Sequence, residues 1–78
     1  TRAMAVTASA ISTKSNMIQV TGQAWAPLAE NATIIGVDST GAVNGLRDLY
    51  DVEVGTNASV IDVYTNADGE VAFIVIHE

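Results

Sequence analysis

Residues 58–77, ASVIDVYTNADGEVAFIVIH, decide the fold. Val60, Ile61, Val63, Tyr64 and Thr65, then Val71, Phe73, Ile74, Val75 and Ile76, carry branched or aromatic side chains that fit a pleated strand. Between the two runs stand Asn66, Ala67, Asp68 and Gly69. Asn and Asp bond locally to their own backbone, and glycine takes a positive φ without a Cβ clash, so the chain should reverse here into an antiparallel hairpin. The second run is apolar throughout. Regular alternation puts Val71, Phe73 and Val75 in a core with Val63, and leaves Ala72, Ile74 and Ile76 on a second face that also needs cover. Another segment or another subunit is the expected cover. Asp62 and Glu70 are expected on the solvent side near the turn.

Turn signals divide the rest of the chain into short strands. Residues 1–12, TRAMAVTASAIS, alternate weakly and are rich in small side chains. They read either as an N-terminal arm that lies on a neighbouring sheet edge or as an edge strand of their own domain. Residues 13–16 form a turn. Residues 17–25, MIQVTGQAW, alternate as one half-exposed strand that Ala26 and Pro27 end, because proline has no N–H for a ladder. Residues 28–31 read as a connection and 32–37, ATIIGV, as a strand closed by a turn at Asp38–Gly41. Ala42 and Val43 begin a strand that Asn44 and Gly45 interrupt. Residues 46–50 fit one helical turn or a bend, and residues 51–54 alternate again with Val52 and Val54 inward. The expectation is a small all-β domain over residues 13–78, an antiparallel sandwich or partly open barrel of about seven short strands.

The C-terminal half resembles the bacterial immunoglobulin-like modules of surface and virion proteins. Their pattern is a strand ending in D-x-x-G, as at Asp38 and Gly41, followed by a T-x-A-D-G-x-V-x-F strand pair. Thr65, Ala67, Asp68, Gly69, Val71 and Phe73 match that pair. The resemblance covers about half of the chain and implies an Ig-like sandwich with a role in assembly or adhesion.

Size and charge narrow the function. A chain of 78 residues is one domain near the lower limit for a self-sufficient core. It has no cysteine, so disulfides cannot staple it, and no His/Cys cluster proposes a zinc site. Oligomerisation is the remaining stabiliser. Nine acids against three bases give a net charge of −6, which opposes phosphate backbones and anionic membranes, and no apolar run is long enough to insert as a helix. A 49% hydrophobic content is not that of a disordered chain.

Catalytic chemistry is sparse. His77 is the lone imidazole and lies at a terminus, where a general base is poorly positioned. Asp51 and Glu53 share one strand face and read as solvated acids rather than a glycosidase pair. No phosphate-binding glycine loop occurs. Asn66, Asp68 and Glu70, and Asp38, Asp48 and Asp51, lack the twelve-residue calcium loop pattern. No cofactor is assigned. Asn31-Ala32-Thr33 and Asn57-Ala58-Ser59 are glycosylation sequons.

Two functional classes follow. The first is a structural protein of the virion or extracellular surface, such as a capsid decoration or cement protein or a filament subunit, acting by self-association or by docking on a lattice. Its expected interface is Met4, Val6, Ala72, Ile74 and Ile76. The second is a carbohydrate-binding or adhesion module of a secreted surface protein, with Trp25, Tyr50 and Tyr64 as ligand or anchor aromatics.

Overall fold

The computed structural model describes residues 2–78; Thr1, the first residue of the expected arm, lies outside them. Seven strands follow in order: β1 (Arg2–Val6), β2 (Ala8–Ser12), β3 (Met17–Val20), β4 (Trp25–Val37), β5 (Val43–Leu46), β6 (Val60–Thr65) and β7 (Val71–His77). A single 3-10 turn, Leu49–Asp51, is the helical content among the described residues. The all-β expectation holds, and the architecture is one curled mixed sheet, a half-barrel.

The path across the sheet runs β1-β6-β7-β4-β3-β2, with β5 on the free flank of β4. Neighbours pair antiparallel except β4 and β7, which run parallel, so the sheet is not the purely antiparallel one expected. Its first and last strands are consecutive in the chain and are separated by Thr7 alone. One continuous stretch therefore serves both ends of the path: Val6 pairs Ile61, and two residues later Ala8 pairs Val20. Of the two readings of residues 1–12, the described part follows the second, an edge strand paired within its own domain.

The final hairpin forms as its sequence dictates. Asn66 N–H donates to the Glu70 carbonyl at 2.8 Å, the Asn66 side-chain oxygen accepts from the backbone of Asp68 and Glu70, and Gly69 takes φ +82°. Its faces, however, are not those of regular alternation. Tyr64 lies opposite Phe73 and Thr65 opposite Val71, so Ala72 is one extra residue in β7. A bulge of one residue reverses every side chain beyond it. Ile74 pairs Val63 and Ile76 pairs Ile61 on the inner face, where Ile61 and Ile74 are fully buried and Ile76 is 3% exposed. Phe73 and Val75 are half-buried on the outer face. The expected core and the expected interface of β7 are thus exchanged, apart from Val71, which precedes the bulge and is buried.

Other departures have local causes. Residues 17–25 are not one strand, because Gly22 at φ +82° turns the chain and Gln23 N–H closes onto the Val20 carbonyl at 2.9 Å. Pro27 then lies inside β4 opposite Met17. Leu28 N–H points to β3, where it meets the Asn16 carbonyl, so the preceding position faces away and needs no N–H there. Residues 28–31, expected as a connection, belong to β4. Val52 is buried, but residues 51–54 are not a strand and Val54 is exposed. Leu49 and Val52 join the core cluster with Ile18, Leu28, Ile34, Ile61 and Ile74.

Candidate functional site

Strand register assembles an apolar outer face. Paired residues share a face, so Asp62, Val75, Ile35 and Leu46 form one row across β6, β7, β4 and β5. Tyr64, Phe73 and Thr33 form the next row, and His77, Val37 and Val43 another. The flank at β5 is open to water, with Leu46 77% and Val43 63% exposed. On the other flank Met4 is half exposed, and the Tyr64 hydroxyl donates to its Sδ at 3.6 Å. The Tyr64 and Phe73 rings meet edge to face, 6.0 Å between centres.

Most of the acidic side chains lie off this face. Asp68 and Glu70 belong to the hairpin turn, Asp38 to the β4–β5 turn, Asp48, Asp51 and Glu53 to the segment joining β5 to β6, and Glu30 to the middle of β4. Glu78 is turned to the inner side of Gly36, where an added Cβ would stand 2.5 Å from its carboxyl. Arg47 Nε and Nη2 hold that carboxylate at 2.8 and 3.0 Å, with Asn44 Nδ2 at 2.9 Å.

Asp62 and His77 lie on the outer face, and Arg2, opposite Tyr64, stands at its β1 flank. Asp62 is 6% exposed rather than solvent-facing as expected. Its Oδ1 accepts the Ala5 N–H at 2.8 Å, and its Oδ2 lies 2.9 Å from His77 Nε2. Burial pushes the carboxyl up, but the Ala5 N–H and His77 outweigh it and hold it below the usual aspartate value. The bond fastens β1 at its irregular point, since Ala5 takes φ +53°. The carboxylate thus joins a backbone amide of β1 to the imidazole of β7.

The remaining candidates are spent locally. Asp38 Oδ1 accepts from the Thr40 hydroxyl, the Thr40 backbone and the Ala42 backbone, and the Thr40 hydroxyl leads in lowering its pKa. Asp51 accepts from the Asp48 N–H. Among the described residues no group of three or more His, Cys, Asp or Glu side chains could hold a metal ion. A cavity of about 220 Å³ opens between Ala3 of β1, Val20 of β3 and Ala26 of β4, with Val63 and Val71 in its lining. Ligand pockets usually span about 300–1,000 Å³.

Of the residues expected at an interface, Met4 is exposed and Val6 is half-buried against the core. Ala72 is half-buried at the bulge, while Ile74 and Ile76 are interior and present no surface, because the bulge turns them inward. Trp25 and Tyr50 are exposed on β4 and on the 3-10 turn, and Tyr64 packs on Phe73. The structure does not gather the three rings. Val43, Leu46 and Ile35 are absent from the expected set. Val43 and Leu46 stand in a strand that Asn44-Gly45 seemed to interrupt, whereas Gly45 at φ +155° carries the pairing through. Comparison with known proteins finds no matching family model, no similar curated protein and no similar solved structure.

Proposed function

We propose that this chain is a structural protein that works by self-association through the outer face of β4–β7, as a virion decoration or filament subunit. The observation that carries the reading is the contrast between that face and the rest of the molecule. A net charge of −6 makes most approaches of two copies repulsive. The face of Ile35, Leu46, Phe73 and Val75 joins half-buried apolar side chains to the exposed Leu46 and Val43 and carries few of the acids, so a second copy meets reduced repulsion and gains apolar burial there. Edge-to-edge pairing is the poorer route, because β5 has four residues and its register with β4 shifts between Gly36 and Val37. The likeness of the final hairpin to Ig-like modules of surface and virion proteins points the same way and supports a place on a virion or extracellular surface. The carbohydrate-binding reading has less support. A stacking platform needs rings side by side, and Trp25, Tyr50 and Tyr64 stand on separate elements.

Sedimentation velocity across a concentration series tests the proposal. The parent chain should associate, and Leu46→Lys should associate markedly less with an unchanged melting temperature, since Leu46 lies outside the core. A parent that stays monomeric at high concentration would end the reading.

A further inference from the structure

β1 terminates the sheet path and pairs irregularly. It meets β6 through three aligned pairs with an irregularity among them, and Arg2, Met4 and Ala5 are exposed. Ala5 carries its side chain at φ +53°, in the left-handed region that L-residues disfavour, so lifting the strand releases strain. The anchor begins at Thr7. Its carbonyl accepts both the Thr21 N–H at 3.0 Å and the Thr21 hydroxyl at 3.1 Å. Thr7 is thus tied to the β3 side of the body, whereas residues 2–6 pair with β6.

A short hinge beside a strained segment favours exchange of identical elements, because a second copy offers the same contacts. Length favours it too. With the bend at Thr7 straightened, β1, Thr7 and β2 make one strand that would span about 36 Å at the usual rise of a β-strand. The longest dimension of the molecule is 31 Å. Such a strand is longer than the body that carries it.

We infer that β1 is an exchangeable strand: in a pair of copies, residues 2–6 of each lie on β6 of the other. The Arg2–Tyr64, Ala3–Val63 and Val6–Ile61 pairs, and the Ala5 N–H bond to Asp62, are then made between chains. The exchange goes beyond the outer-face association and does not involve Leu46.

The chain has no cysteine, so placed cysteines report the exchange directly. One copy carries Arg2→Cys and another Tyr64→Cys, at positions that lie opposite each other across β1 and β6. Cross-strand partners fall within disulfide reach. Both copies also carry Leu46→Lys, which weakens the outer-face contact. Unfolded together, refolded at high concentration and oxidised, they should yield the mixed disulfide several-fold above a control in which Thr40→Cys replaces Tyr64→Cys. A yield equal to that control overturns the inference. A single chain with both Arg2→Cys and Tyr64→Cys should close internally when refolded dilute, and failure to close would remove the pairing on which the exchange rests. The mass of the parent against Leu46→Lys tests the outer-face reading separately.

Discussion

Asp62 is the one charged side chain the fold takes almost wholly out of water, and it does so to satisfy a backbone amide on another strand. Replacing it with alanine leaves the part-buried Ala5 N–H without its acceptor. The expected cost is about 1–3 kcal/mol, read from urea unfolding at neutral pH. The acid response has a definite sign. A carboxyl whose folded pKa lies below its unfolded value contributes stability that is complete above the unfolded value. That contribution is lost as pH falls through the folded one. Asp62→Asn keeps an oxygen for Ala5 but cannot titrate, so its unfolding midpoint should decline less than the parent's below about pH 4. Part of the decline will remain, because Asp38, through Thr40, and Glu78, through Arg47, are lowered as well. Superimposable acid limbs for parent and variant would refute the assignment to Asp62.

Strand faces make an unequal pair of neighbours on β7. Ile74 is fully buried, so Ile74→Ala should cost about 2–5 kcal/mol. Phe73→Ala removes a larger but half-buried ring and should cost less, near the ~1 kcal/mol typical of point changes. Denaturant midpoints that rank the two the other way would return Phe73 to the interior. Regular alternation predicts that opposite ranking, which shows where legibility stops. The β6–β7 hairpin can be read because its turn residues and its branched runs are local signals that agree. The bulge at Ala72 cannot, since it depends on how β7 meets two neighbours at once. Gly22 is an intermediate case: a lone glycine inside an alternating run marks a break, but alternation on either side disguises it. The outer face is hidden for the same reason as the bulge, since its rows combine residues from four strands. Asp62 and His77 were closer to view, being diagonal neighbours across a turn the sequence announces.

At the scale of the whole molecule, residues 2–12 unite the two ends of the sheet, so their removal should not leave a folded remainder. Circular dichroism of a chain lacking residues 1–12 should give no cooperative thermal transition; a sharp one would mean that the rest closes by other means. The same connection governs the order of events during synthesis. Ala5 and Asp62 bond across 57 positions, so β1 is made well before β6. β1 must wait, without its partner strand, until β6 has emerged. Contacts so distant in sequence slow folding, and the waiting interval leaves an open strand edge in reach of other nascent copies. Translation of neighbouring chains on one message would then bring such edges together before any of them has closed.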